Sequence, residues 1–93
     1  TTEYAIIDVR AEKDFLKEHI PGAISLPKNK WDEMVEAGLS KEKLNVVYCY
    51  SQVCHLAANA CIELAKAGYR VIELEGGFEG WKEHDFETES QER

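Results

Sequence analysis

Short apolar runs alternate with helix-patterned segments along the whole of this 93-residue chain. Four runs have the character of strands, at residues 4–9, 23–26, 44–48 and 70–74. The first and third are apolar almost throughout, which is typical of strands buried on both faces of a parallel sheet. Strands that alternate with helices form such sheets, so the sequence predicts an α/β fold: a small parallel β-sheet with helices on both faces.

The segments between these runs predict four helices, at residues 12–19, 30–37, 55–67 and 78–83. Phe15, Leu16 and Ile20 share one face of the first, and Trp31 is expected to pack inward from the second. Gly38 and Gly68 follow the second and third helices, where glycine adopts the left-handed conformation that ends a helix. Residues 76–77, both glycine, predict a turn before the last helix.

Length and composition indicate one domain. We predict that it spans residues 1–84, and that the polar, acidic residues 85–93 form a frayed tail or a linker. The formal charge of −7 argues against nucleic acid and anionic membranes as partners. No apolar run approaches the length of about 20 residues that a membrane span requires.

The chain has three cysteines, Cys49, Cys54 and Cys61. An odd, sparse set is unlike the disulfide framework of a small secreted domain, so we expect reduced thiols and a cytoplasmic protein. Their spacing lacks the second close pair of a zinc site, and no metal is predicted. Cys61 lies on the apolar stripe of its helix and is interpreted as a core residue.

Cys49 is the candidate catalytic residue. It directly follows the predicted strand at residues 44–48 and precedes the helix at residues 55–67. The carboxyl ends of parallel strands are where α/β proteins place their sites. A helix N-terminus adds unpaired N–H groups and a partial positive charge, and both favour the thiolate form of cysteine. Because the thiolate is the nucleophile, the sequence predicts a reactive thiol at Cys49.

Three motifs, in chain order, resemble the signatures of rhodanese-like domains. They are Ile7-Asp8-Val9-Arg10 with Phe15 and His19-Ile20-Pro21-Gly22-Ala23-Ile24, then Val46-Val47-Tyr48-Cys49 before a short loop, then Glu75-Gly76-Gly77-Phe78 with Trp81. Members of the family usually have another short strand and helix before the Asp-x-Arg segment. This chain begins almost on that strand, so we expect either a minimal domain or a piece of a longer protein.

The resemblance implies a sulfurtransferase without metal or organic cofactor. In the family, a cysteine that matches Cys49 accepts a sulfane sulfur as a persulfide and passes it to a thiol or to cyanide. The implied partners are a small sulfur donor or a protein persulfide, and a thiol acceptor. The backbone N–H groups of the following loop are expected to surround the sulfur as an anion nest. The substrate-binding loop comprises Tyr50, Ser51, Gln52, Val53, Cys54 and His55.

The sequence of the loop also distinguishes sulfurtransferases from related cysteine phosphatases. Related cysteine phosphatases use Cys-x5-Arg, in which the Arg binds phosphate. Six positions after Cys49 this chain has His55, and the loop contains neither Arg nor Lys. A phosphatase is therefore disfavoured, and thiosulfate, a dianion, is expected to bind poorly. Our hypothesis is that polysulfide or a persulfide is the better donor. His55 is either a donor to a bound anion or an exposed first-turn residue.

Cys54 has two interpretations. It is either a resolving thiol that forms a disulfide with Cys49, or a small buried residue near the helix start. We favour the second, because a tight loop is expected to hold the two sulfurs too far apart. The competing functions are a non-catalytic module for partner binding or sulfur relay within a larger protein, and a redox switch of Cys49 and Cys54.

Asp8 and Arg10 are supporting residues. In the family the matching pair mainly ties together loops near the site, and Arg10 either does only this or also lends positive potential to the pocket. His19 is interpreted as a structural hydrogen-bonding residue before the turn at residues 21–22.

Overall fold

The computed structural model describes residues 4–33, 39–51 and 54–91. Its elements, in chain order, are β1 (Tyr4–Asp8), α1 (Glu12–Lys17), β2 (Ile24–Ser25), a 3-10 helix (Lys28–Glu33), β3 (Leu44–Tyr48), α2 (Leu56–Lys66), β4 (Arg70–Glu73) and α3 (Gly77–Glu83).

The four strands form one parallel sheet in the order β2-β1-β3-β4. β1 and β3 are the central pair, joined in register from Tyr4 opposite Leu44 to Asp8 opposite Tyr48. Because all strands run in the same direction, the residues that follow them meet at one edge of the sheet. The predicted α/β class with a parallel sheet is confirmed.

The two faces of the sheet have separate cores. Ile7 and Val47 are fully buried in an apolar cluster that includes residues of α2. Tyr48, one position further along β3, belongs to the opposite cluster with Ile20 and with Phe78 of α3. Side chains alternate between the faces of a strand, so each central strand contributes to both cores. Each fully buried aliphatic side chain stabilises the fold by about 1.5–3 kcal/mol.

Over the described part of the helix predicted at residues 30–37, the type is wrong and the start is two residues earlier than predicted. The structure has the 3-10 helix at Lys28–Glu33, which starts where the Lys30 N–H donates to the Pro27 carbonyl (2.8 Å). Trp31 is buried as expected, and its indole Nε1 donates to the Leu26 carbonyl at 3.0 Å. The rest of the predicted helix, residues 34–37, and Gly38, which is predicted to end it, lie outside the described residues.

The segment predicted to be a frayed tail packs against α1 over its described part, residues 85–91, here called the C-terminal segment. Asp85 has a φ of 57° and reverses the chain after α3. His19 and Glu89 then exchange two backbone hydrogen bonds, at 2.8 and 2.9 Å, and the Gln91 N–H donates to the Leu16 carbonyl. The segment is mostly polar and mostly exposed, but backbone pairing and side-chain hydrogen bonds of Thr88 and Glu89 hold it in place.

Within the described ranges, none of the helices has the length and apolar character needed to cross a membrane.

Candidate active site

Cys49 occupies the position that the sequence predicts for it. It follows β3 directly, at the carboxyl end of a central strand, and is only 1% exposed. Its carbonyl accepts a hydrogen bond from the Phe78 N–H at 2.9 Å, so α3 fixes its backbone. Its side chain lies in the apolar cluster that also contains Ala57 of α2. The burial and the fixed backbone together give this sulfur a defined position beside α2.

The expectation that Cys49 and Cys54 are too far apart is wrong. The structure joins them in a disulfide, with their Cα atoms 6.4 Å apart. The loop curls tightly enough because the Cys54 N–H donates to the Ser51 carbonyl at 3.2 Å. Cys54 does pack against the apolar cluster, but the N-cap of α2 is His55, whose side chain makes no capping hydrogen bond.

The disulfide also places the Cys49 sulfur near the start of α2. Cys54 precedes the first residue of this helix, Leu56, by two positions, and its sulfur is bonded to that of Cys49. The unpaired N–H groups of a helix N-terminus carry a partial positive charge. Upon reduction, this environment favours the thiolate of Cys49.

A glycine turn forms the wall beside the loop. The Glu79 N–H donates to the Tyr50 carbonyl at 2.9 Å, which supports the loop next to Cys49. Gly77 has a φ of +61°, and a Cβ there would lie 2.8 Å from the Ser51 nitrogen. Both its left-handed backbone and this close approach require glycine. The turn at Gly76 and Gly77 thus packs directly on the loop.

Tyr50 connects the loop to α1. Its hydroxyl donates to Asp14 and accepts a hydrogen bond from the Ala11 N–H at 3.3 Å. Partial burial and the Asp14 carboxylate raise the pKa of Tyr50. Sequence reasoning placed Tyr50 in the substrate-binding loop and missed this anchoring contact, which no local pattern signals because Asp14 is 36 positions away.

The remaining predicted loop residues differ in position. Ser51 is partly buried and supplies the carbonyl that Cys54 contacts, whereas His55 is exposed at the start of α2. Gln52 and Val53 lie outside the described residues.

Asp8 and Arg10 form a buried ion pair. The Arg10 guanidinium donates to Asp8 through Nε and Nη2, at 2.8 Å for the shortest contact, and Nη2 also donates to the Glu18 carbonyl at 2.6 Å. The Tyr48 hydroxyl donates to Asp8 at 2.6 Å and accepts from the Ile20 N–H at 3.2 Å. This network ties β1 and β3 to the segment after α1.

The charges in the network offset one another. Burial opposes the charged form of Arg10, but hydrogen bonding and charge from Asp8 outweigh it and raise the pKa of Arg10. Burial, and then the charge of Asp8, raise the pKa of Tyr48 far above its usual value. The guanidinium also lies over the Phe78 ring, 4.2 Å from its centroid. Asp8 and Arg10 thus connect β1, β3 and α3 through these contacts. The sequence signal for Tyr48 was a hydroxyl at the end of a mostly apolar strand.

His19 is fully buried between α1 and the C-terminal segment. Its Nδ1 lies 2.6 Å from the Phe15 carbonyl and its Nε2 lies 3.1 Å from the Glu89 carboxylate. These are structural hydrogen bonds, as expected for this residue. Among residues 4–33, 39–51 and 54–91, no group of three or more His, Cys, Asp or Glu side chains is placed to hold a metal ion.

Comparisons with known proteins agree on one family. The family model described as "Rhodanese-like domain" matches residues 1–84. The thiosulfate sulfurtransferase GlpE of Coxiella burnetii is 36% identical over 83 residues, which cover 88% of this chain and 75% of that protein. The putative sulfurtransferase YtwF of Bacillus subtilis is 30% identical over 80 residues, with coverages of 86% and 75%.

A solved structure shows the same architecture. The crystal structure of the BH2092 protein from Bacillus halodurans superposes with a TM-score of 0.88 at 39% sequence identity. The match covers 96% of this chain but only 65% of that one, so the chain spans slightly less than two thirds of this structural relative.

Proposed function

The chain belongs to the family of rhodanese-like domains, and from that premise we propose that it is a sulfurtransferase with a persulfide intermediate on Cys49. The observation that carries the proposal is the position of Cys49, at the carboxyl end of central strand β3 and near the start of α2. Relatives named as sulfurtransferases, at 30–36% identity, support the general activity.

The proposed reaction consists of two thiol exchanges. In the first, the Cys49 thiolate attacks a sulfane sulfur of the donor, a new S–S bond forms, and the remainder of the donor leaves with the electron pair. In the second, an acceptor thiolate attacks the outer sulfur, and the Cys49 thiolate is the leaving group. The N-terminal end of α2 stabilises the thiolate at the start and the end of this cycle.

The transferring form of the protein is the reduced one. While Cys49 is bonded to Cys54 it has no thiolate and cannot accept sulfur. The proposed activity therefore needs a reducing compartment, and we propose the cytoplasm on this ground. The proposed partners are a small sulfur donor or a protein persulfide, and a thiol acceptor.

For the donor, we propose polysulfide or a persulfide in preference to thiosulfate. The loop at residues 50–55 has no Lys or Arg, and Arg10, in the neighbouring network, is paired with Asp8. A dianion gains little in such a site. The name of the Coxiella burnetii relative favours thiosulfate instead, so both donors belong in the test.

The test is mass spectrometry of reduced protein after brief exposure to polysulfide and, separately, to thiosulfate. Cys54→Ser protein is included so that the intermediate persists. We expect one added sulfur atom on Cys49, removable by cyanide, with polysulfide the more efficient donor. Cys49→Ala should gain none there, whereas Cys61→Ser, which alters the free cysteine of α2, should behave as the native chain does.

Two outcomes would change the proposal. A thiosulfate KM well below millimolar would overturn the donor preference. Folded protein that gains no sulfur on Cys49 from either donor would support a partner-binding module instead.

A redox switch is the second candidate function, and the disulfide between Cys49 and Cys54 favours it. A switch requires both thiols, whereas sulfur transfer requires only Cys49.

A further inference from the structure

We propose that the same site has a further activity, in which Cys54 attacks the Cys49 persulfide and releases the sulfane sulfur as hydrogen sulfide. The resulting disulfide between Cys49 and Cys54 is then reduced by a dithiol. This inference rests on the proposed Cys49 persulfide. It makes Cys54 a second catalytic residue and makes a dithiol reductant the second substrate.

The loop brings the two sulfurs together from both of its ends. At the first end, the Cys49 and Tyr50 carbonyls are held by N–H groups of α3. At the second end, Cys54 leads into α2 and packs against the same apolar cluster that contains Cys49. The two Cα atoms are 6.4 Å apart, within the range that disulfides span. The pairing is therefore built into the fold of the loop.

Cys61 provides an internal contrast. It lies on α2, packs against the same apolar cluster, and remains a free thiol. Burial and the nearby charge of Glu73 raise its pKa, which makes it a poor nucleophile. Proximity to the apolar cluster is thus not sufficient for pairing with Cys49, and the loop position of Cys54 is what selects it.

The chemistry of the step balances. The Cys54 thiolate attacks the inner sulfur of the persulfide, the Cys49 Sγ, and a bond forms between the two protein sulfurs. The bond between the inner and outer sulfur breaks, and the outer sulfur leaves as hydrosulfide. The sulfane sulfur gains two electrons and the two cysteine thiols lose them. A dithiol returns both thiols to the reduced state and becomes a disulfide itself.

The exposure of the two cysteines sets the direction of the reductive step. Cys49 is 1% exposed, whereas Cys54 is only partly buried. An incoming thiolate therefore reaches the Cys54 sulfur first and expels Cys49 as the thiolate. The helix N-terminus stabilises this leaving group, which speeds the exchange. Reduction thus regenerates the sulfur-accepting thiolate in its first exchange.

Internal attack competes with transfer to an external thiol. The two protein sulfurs share one loop, so the attack is intramolecular and benefits from a high effective concentration. Without a well-placed acceptor, the persulfide is expected to decay through Cys54. The protein then converts sulfane sulfur and a dithiol into hydrogen sulfide and a disulfide.

The test is a single-turnover experiment without air. Reduced native protein, Cys54→Ser and Cys61→Ser receive one equivalent of polysulfide and are quenched with acid at intervals. Sulfide, cyanide-labile sulfur and the bond between Cys49 and Cys54 are measured in each sample. Because loading of Cys49 releases the same products in every variant, sulfide in excess of that from Cys54→Ser reports the second step. A dithiol is then added, and the native protein is followed over repeated turnovers.

We expect the native chain and Cys61→Ser to release about one further equivalent of sulfide as the disulfide forms. In Cys54→Ser, the Cys49 persulfide should persist for at least about tenfold longer. Equal persulfide lifetimes in the native and Cys54→Ser proteins would overturn the inference and leave the proposed sulfurtransferase intact. Absence of added sulfur on Cys49 in every variant would overturn both proposals, so the two outcomes distinguish failure of this inference from failure of the proposed function.

Discussion

The two faces of the central sheet differ in how they serve the site. On the α2 face, Val47 of β3 and Cys49, which directly follows the strand, lie in an apolar cluster. On the other face, Tyr48 joins the hydrogen-bonded ion pair of Asp8 and Arg10. Tyr48 and the residue after it, Cys49, thus contribute a polar network to one core and the candidate nucleophile to the other.

Alternate residues of this segment therefore provide the candidate reactive thiol and the rigid support around it. The apolar face positions the sulfur at the start of α2, where its thiolate is favoured. The polar face contains no cysteine among its described members. It joins β1, β3 and the segment before β2, and its Arg10 lies over the first ring of α3, Phe78, whose backbone holds Cys49. Mutations on the two faces should therefore affect different measurements.

The largest expected effect on stability comes from Asp8→Asn. The substitution preserves shape but leaves the guanidinium of Arg10, 4% exposed, without its charge partner. Breaking a buried pair in this way lowers the free energy of unfolding by about 3–5 kcal/mol. Urea denaturation of the reduced protein measures it. Asp14→Asn, which alters a carboxylate on α1 that accepts from Tyr50, should cost about 0.5–1.5 kcal/mol.

If Asp8→Asn left stability unchanged but stopped persulfide formation on Cys49, the assignment of stability to the polar face and reactivity to the apolar face would be contradicted. That result would make Asp8 part of the reaction.

Gly77→Ala tests the contact between the glycine turn and the loop. The new Cβ would lie 2.8 Å from the Ser51 nitrogen and would also force alanine into a left-handed backbone. We expect a loss of about 2–4 kcal/mol and slower persulfide formation, because the loop must shift. Gly22→Ala is the matched control, since Gly22 has a φ of +83° with nothing within 4 Å of the added carbon.

Gly22→Ala should cost about 1–2 kcal/mol from backbone strain alone and leave persulfide formation unchanged. Equal rates of persulfide formation in the two alanine variants would show that the loop tolerates displacement by α3.

Tyr48→Phe tests how much the hydroxyl of the polar face contributes to stability. It removes the hydroxyl that donates to Asp8 and accepts from the Ile20 N–H, and both partners are buried. The expected loss is about 1–3 kcal/mol, seen as a shift in the midpoint of urea denaturation. Tyr50→Phe removes an exposed hydroxyl instead and should cost about 0.5–1.5 kcal/mol. A larger loss for Tyr50→Phe would contradict the importance given to the buried network.

The smallest effect concerns acid and the C-terminal segment. The Gly22 N–H, and then the His19 ring, lower the pKa of Glu89 below its ordinary value of 4.5. A lowered pKa means that the ionised carboxylate stabilises the docked segment at neutral pH. That stabilisation is lost as the pH falls through the lowered value. Hydrogen exchange of the amides of residues 87–91 should therefore quicken in acid relative to the intrinsic rate.

Glu89→Gln is the control for this acid effect, because it keeps an acceptor oxygen but does not ionise. Its relative exchange rates at residues 87–91 should change less with pH than those of the native chain. Identical pH profiles would exclude Glu89 as the cause, and would point to Glu18, whose pKa is lowered by Lys82 and Thr88.

Sequence reasoning succeeded where a pattern has one physical meaning. The apolar run at residues 44–48 has few alternatives to a buried strand, and α2 shows a clear apolar stripe ended by Gly68. Those two elements already place Cys49 at a strand end beside a helix start. The central part of the fold and the candidate nucleophile were therefore predictable.

The same reasoning failed where distant or backbone contacts decide. The separation of Cys49 and Cys54 depends on how a loop curls, and the hydrogen bond from Cys54 to Ser51 has no sequence signature. The C-terminal segment is mostly polar, which correctly indicates exposure, yet its docking relies on backbone groups that every residue has and on the distant pairing of Glu89 with His19. Composition carries no information about such pairing.

The bridge between His19 and Glu89 has a consequence for the order in which the chain folds. Its two residues are 70 positions apart, so the contact encloses β3, the site loop and α2. Closing so long a loop is favourable only after the intervening contacts have shortened it. During synthesis on the ribosome, Cys49 and Cys54 emerge well before Glu89. The two thiols therefore meet cellular oxidants and reductants before the contact between His19 and Glu89 has formed.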